Sequence, residues 1–117
     1  MTADELHVVV ETEEDGAVLI RVRGSLDEWS GPSAFVGALR EAAGGGGRLT
    51  VADLSGLEFA DSTGLHALLE AQHRHALAGV RLVLAGPLST AVHRLFEVSG
   101  TFDAFTFADT VDAALAC

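Results

Sequence analysis

The segment Asp53-Leu54-Ser55-Gly56-Leu57-Glu58-Phe59-Ala60-Asp61-Ser62-Thr63-Gly64-Leu65 joins two patterns of different period. Arg48 to Leu54 is a short β-rich run, whereas Leu65, Leu68, Leu69 and Ala76 recur at helical spacing. The segment therefore reads as a strand end, a loop over 55–62, and a helix from about Ser62 to Ala78 that Gly79 terminates. Its hydroxyls fall at the helix start. Unpaired amides and the helix dipole favour negative charge there, so Ser62 or Thr63 can carry a phosphate at little cost. Ser62 or Asp61 can equally serve as an ordinary helix cap.

Upstream, Leu6 to Thr12 and Ala17 to Arg23 flank Glu13-Glu14-Asp15-Gly16 and predict a hairpin. A two-residue Asp15-Gly16 loop would set Glu11 against Ile20. A three-residue loop, Glu14 to Gly16 with Gly16 left-handed, pairs Val10 with Ile20 and Val8 with Val22 and gives one apolar face. A polar stretch, Ser25 to Gly31, then leads to Pro32, which suits a first helical turn, and to a helix ending near Ala43 with Phe35, Leu39 and Ala42 inward. The glycines at 44–47 stop it. They leave a helix and enter a strand, the reverse of a phosphate-binding loop.

Downstream, Val80 to Ala85 is a fourth strand, and Ser89 can cap a short helix through Val98 with Val92, Leu95 and Phe96 inward. Phe102, Phe105 and Phe107 are candidate core, and Asp109 can cap a last helix to about Ala116. The strand-helix-strand units demand parallel, right-handed crossovers. The expected fold is a single α/β domain over 1–117: a mixed sheet with an N-terminal hairpin, then parallel β-α-β units, with helices packed on the sheet. Loops 24–31, 55–62 and 86–89 then share one rim, where open α/β sheets place their sites.

The 117 residues carry 7 Lys+Arg against 17 Asp+Glu, a formal charge of −10, and 49% are hydrophobic. A chain of this length buries roughly two-thirds of its surface and folds without staples. The lone cysteine, Cys117, excludes an internal disulfide framework and a cysteine zinc site, and fits a reducing cytoplasm. No apolar run approaches the ~20 residues of a membrane span, and the acidic start, Met1-Thr-Ala-Asp-Glu, is unlike a secretory signal. The deficit of cations argues against nucleic acid.

Asp53 to Leu65 resembles the signature of the STAS domain family, in particular the bacterial anti-sigma factor antagonists, and Gly24-Ser25-Leu26-Asp27 looks like that family's Gly-x-Leu-Asp segment. The resemblance implies a partner switch and no enzyme. The unmodified antagonist binds an anti-sigma factor that is also an ATP-dependent serine kinase, and so frees a sigma factor for transcription. Phosphorylation ends the binding, and a metal-dependent serine phosphatase restores it. By position the phosphorylated residue is Ser62, with Thr63 as second choice, and the partner-facing residues are Asp27, Trp29, Asp61, Ser62, Thr63 and Gly64. Ala60, His66 and Trp29 depart from the family's common residues and bear on partner choice. Asp27 reads equally as a loop-bracing carboxylate. Two other STAS roles stand as alternatives: a nucleotide-binding domain, and a subunit of a stressosome or lipid-transport assembly.

His66, Glu70 and His73 lie at i, i+4 and i+7 and could line up as metal ligands. They also form the polar side opposite Leu65, Leu68 and Leu69, so a solvated face is expected, with no metal and no cofactor. No Gly-x-Ser-x-Gly elbow or placed His/Asp pair activates Ser62, which argues against a hydrolase.

Overall fold

The computed structural model of the chain describes residues 6–27 and 32–116. The elements are β1 (His7–Thr12), β2 (Val18–Leu26), α1 (Ser33–Gly44), β3 (Leu49–Ala60), α2 (Ser62–Ala78), β4 (Arg81–Ala85), α3 (Thr90–Ser99), a 3-10 turn (Phe102–Ala104), β5 (Thr106–Ala108) and α4 (Val111–Leu115). The sheet order is β1-β2-β3-β4-β5. β1 is antiparallel to β2, and the remaining pairs are parallel. Among the described residues no helix is long and apolar enough to cross a membrane.

The hairpin has the three-residue loop and the expected register, Val8 with Val22 and Val10 with Ile20. Glu13 N–H donates to the Ala17 carbonyl at 2.7 Å, and Gly16 N–H donates to the Glu13 carbonyl at 2.9 Å. Gly16 holds φ at +89°, a left-handed conformation that costs a glycine nothing.

The expected loops at 24–31 and 55–62 require correction: β2 and β3 stay paired to Leu26 and Ala60. Between Arg21 and Arg23, β3 advances from Asp53 to Gly56, and between Gly24 and Ser25 it advances from Leu57 to Phe59. Each step inserts one extra β3 residue, a bulge. Ala52, Leu54, Leu57 and Ala60 consequently all face the same core. Their spacing of two, three and three hides a strand from any period-two reading.

Phe35, Leu39 and Ala42 of α1, Leu65, Leu68 and Ala71 of α2, and Val92 and Phe96 of α3 pack with Ile20, Val22, Leu54, Leu82 and Leu84 on one face of the sheet. A smaller cluster, Leu19, Leu49, Val51 and Val83 with Ala114 of α4, covers part of the other. Phe96 meets Phe102, Phe105 and Phe107 at ring separations of 5.2–5.8 Å. Two caps differ from expectation: Pro32 precedes α1 as its N-cap, and α4 is capped by the Thr110 hydroxyl, which accepts from Ala113 N–H, so Asp109 lies outside the helix.

α2 begins and ends where expected, with Asp61 and Gly79 as caps. Its buried stripe, however, runs through Ala71 and His75, and Ala76 is exposed. Seven residues make almost two helical turns, so position 75 lies under Leu68, while position 76 turns outward. His75 is fully buried because both ring nitrogens are satisfied. Nδ1 lies 2.7 Å from the Ala71 carbonyl, which can only accept, so the proton sits on Nδ1 and Nε2 accepts from the Thr50 hydroxyl at 3.0 Å.

Gly64 locks α2 to the end of β2. A Cβ there would lie 2.6 Å from the Leu26 carbonyl oxygen and 2.9 Å from Leu26 Cγ. Gly64→Ala must displace backbone, and overpacking of this kind costs about 1–3 kcal/mol; denaturant unfolding should show that loss.

Burial pushes the His75 pKa below its ordinary 6.5, partly opposed by the Ala71 hydrogen bond. The unfolded chain binds this proton more tightly than the folded one. The contribution of His75 to stability is therefore complete above about pH 6.5 and falls as the pH drops below it, by at most about 1.4 kcal/mol per pH unit. The double variant His75→Leu/Thr50→Val should flatten that part of the curve of melting temperature against pH.

Candidate functional site

The candidate site forms where β2 and β3 end together. Leu26 pairs with Ala60, and Asp61 N–H donates to the Leu26 carbonyl at 3.3 Å. Asp27 follows Leu26 and Asp61 follows Ala60, so the two acids stand side by side at the C-terminal rim. The third loop joins them through Ser89, whose hydroxyl donates to the Glu58 carbonyl at 3.1 Å and accepts from Val92 N–H at the start of α3.

Asp61 is the α2 N-cap. Its carboxylate accepts from Thr63 N–H at 2.9 Å and Gly64 N–H at 3.3 Å, and its carbonyl accepts from Leu65 N–H at 3.0 Å. The Thr63 and Gly64 amides, which a phosphate at this helix start would otherwise find, are therefore taken. Ser62 is left with no capping duty. It is exposed at the first helical position, and its hydroxyl has no hydrogen-bond partner among the described residues. His66, one turn on, makes no hydrogen bond to it, so nothing in the described chain activates this oxygen.

Of the residues singled out by sequence, the structure brings Asp27, Asp61, Ser62 and Thr63 together on the rim, with Thr63 half-buried. Gly64 is buried beneath Leu26 and supplies closeness of packing rather than surface. Trp29 lies outside the described residues. Two rim residues escaped sequence reasoning: Phe59, 45% exposed, and Glu58. Both sit on the bulged end of β3, and the pairing that turns them outward leaves no simple periodic signal.

Segments 26–27, 58–64 and 86–90 contain Asp27, Glu58 and Asp61 and no Lys or Arg, so the rim is acidic. Asp53, which opens the signature, lies away from the rim. Its buried carboxylate accepts from Ser55 N–H at 3.0 Å and pairs with Arg21 at 3.3 Å. Glu70, the centre of the possible metal stripe, is held by Arg40 at 2.9 Å, and that hydrogen bond lowers its pKa.

A family model described as the STAS domain matches residues 9–114. No curated protein sequence matches the chain. The crystal structure of an anti-sigma factor antagonist from Mycobacterium paratuberculosis aligns with a TM-score of 0.84 at 23% identity, covering 98% of this chain and 95% of that one. SpoIIAA in its unphosphorylated form aligns at 0.69 with 19% identity, covering 91% of each chain. The Bacillus cell fate determinant SpoIIAA in its phosphorylated form aligns at 0.70 with 22% identity, covering 94% of this chain and 97% of that one. With its five-strand mixed sheet and its helices arranged as in these structures, and a family match over nearly its whole length, the chain belongs to the STAS domain family.

Proposed function

We propose that this STAS domain is an anti-sigma factor antagonist whose unmodified rim binds an anti-sigma factor with serine kinase activity, and whose phosphorylation at Ser62 ends that binding. The observation that carries this reading is the division of labour at the start of α2. Asp61 does the capping, and the serine beside it stands exposed, its hydroxyl without a hydrogen-bond partner among the described residues. An exposed hydroxyl on a rigid helix start presents itself to an incoming kinase. Asp27, Asp61 and Thr63 frame it, and Phe59 adds apolar contact area. A serine phosphatase that restores the hydroxyl completes the cycle. The cytoplasm, where sigma factors act, is the compartment this reading requires.

The effect of a phosphate follows from its neighbours. It adds about −1.5 to −2 charges at neutral pH. With the Thr63 and Gly64 amides already bonded to Asp61, it projects into water beside the carboxylates of Asp61 and Asp27. The fold loses nothing, since no buried group is displaced. A partner fitted to the bare serine must instead desolvate a dianion amid like charge. That SpoIIAA resembles this chain in both its phosphorylated and unphosphorylated forms supports a modification that leaves the fold in place.

Incubation with a cognate anti-sigma kinase and Mg-ATP should add one phosphate, mapped to Ser62 by mass spectrometry. Ser62→Ala should abolish labelling and Thr63→Ala should not; the reverse pattern moves the site to Thr63. Calorimetric titration with the anti-sigma factor should show affinity reduced about 100-fold or more after phosphorylation, a change of about 2.7 kcal/mol, with thermal unfolding nearly unchanged. Ser62→Asp should give part of that loss.

Asp27→Ala should weaken anti-sigma binding or slow phosphorylation while costing at most about 1 kcal/mol of stability, as expected for a rim carboxylate. A large fall in melting temperature with normal phosphorylation would assign Asp27 to bracing the loop.

A further inference from the structure

Among the described residues β1 is an edge strand of the sheet. Its six residues pair continuously with β2, from His7 with Arg23 to Thr12 with Val18, and among the described residues its other side borders no strand. Edge strands commonly carry charge, Pro or a bulge; His7-Val8-Val9-Val10-Glu11-Thr12 has no Pro and no bulge, and its one carboxylate, Glu11, pairs with Arg21 of β2 at 3.0 Å. Val9 and Val10 are 53% and 52% exposed on opposite faces. Val10 is cross-strand from Ile20, which is fully buried, so the apolar face of the sheet continues beyond the helices that cover it.

The hydrogen-bond alternation states which β1 groups are free. Glu13 and Ala17 are a bonded pair through the 2.7 Å contact at the hairpin loop. Antiparallel pairs alternate between bonded and non-bonded. Glu11, Val9 and His7 therefore bond to β2, while Val8, Val10 and Thr12 turn N–H and C=O outward. An added antiparallel strand must set outward residues opposite outward residues. For two copies of β1 about a two-fold axis, that rule excludes axes between residues and leaves centres on Val8, Val9 or Val10.

The three centres differ in chemistry. On Val10, Val9 lies opposite the partner's Glu11; on Val8, His7 lies opposite the partner's Val9. On Val9, Val8 meets the partner's Val10 on the helix-bearing face, and His7 meets the partner's Glu11 on the other. Both pairings occur twice. Arg23, cross-strand from His7, has no carboxylate partner among the described residues, and the partner's Glu11 arrives just beyond His7. We infer that β1 is a self-association edge, pairing with the β1 of a second copy in an antiparallel register centred on Val9 to form a continuous ten-stranded sheet. The strands run in opposite directions across the axis, so the two Ser62 rims face opposite ends of the dimer and both stay open. This pairing does not depend on the proposed role of the rim.

Sedimentation equilibrium of the full chain over a wide concentration range should show reversible association to twice the monomer mass. In a Cys117→Ser background, Val9→Cys places the thiol on the axis, in a non-bonded pair whose Cα atoms are about 4.5 Å apart, within disulfide range. Mild oxidation should cross-link Val9→Cys to itself quickly and Val10→Cys slowly. Val10→Pro removes an outward N–H without touching the β1–β2 ladder and should yield a folded monomer. A wild-type chain that stays monomeric at every concentration overturns the inference, as does a Val10→Cys variant that cross-links faster than Val9→Cys. Should Val10→Pro fail to fold, the contrast between the two cysteine variants still decides the register.

Discussion

The pairing of β2 with β3 is the constraint from which the rest of the molecule follows. Two bulges in β3 bend the sheet's centre and let both strands run on to Leu26 and Ala60. That run-on sets the ends of β2 and β3 beside one another and carries the Leu26 carbonyl against Gly64, where a Cβ would lie 2.6 Å from the carbonyl oxygen. α2 is thereby fixed at its first turn rather than only along its buried stripe. Helix start, acidic pair and serine all take their positions from this one contact.

The same constraint separates two tasks that serine and aspartate often share. Either residue can cap a helix. Here the β3 end turns Asp61 inward over the Thr63 and Gly64 amides, and Ser62, one residue later, points to solvent. Had Ser62 been the cap, modifying it would remove a hydrogen bond that holds α2, and regulation would be coupled to stability. With Asp61 as cap, the first turn keeps its hydrogen bonds whatever Ser62 carries. A charge on Ser62 would leave the hydrogen bonds of that turn in place.

Polar groups inside the protein follow a stricter rule. His75 and Thr50 are buried, and each is a hydrogen-bond partner of the other, with Ala71 taking the second ring nitrogen. Asp53 is buried with an amide and an arginine. Among the described residues the exception inside is Gln72, whose buried Oε1 has no hydrogen-bond partner, and the unpaired backbone groups of the sheet lie along the outward side of β1.

The hairpin register, the ends of α2 and the caps Ser89 and Gly79 were legible in the sequence, because each rests on local chemistry: side-chain parity across a tight loop, helical spacing, and the φ or hydroxyl that a terminus needs. The signature from Asp53 to Leu65 likewise indicated the STAS family and a serine at a helix start. Local pattern does not report pairing that breaks its own period. The bulged half of β3 read as a loop since Leu54, Leu57 and Ala60 stand three apart, and Phe59 and Glu58 were missed with it. Ala76 was placed on the apolar stripe and His75 was not, because residue type was weighed without the partner, Thr50, that lies 25 positions from His75. The choice of Asp61 over Ser62 as the cap was open in sequence for the same reason: two adjacent residues had equal chemistry, and only the direction of β3, set by its contact with β2, decided which of them faced the amides and which faced the solvent.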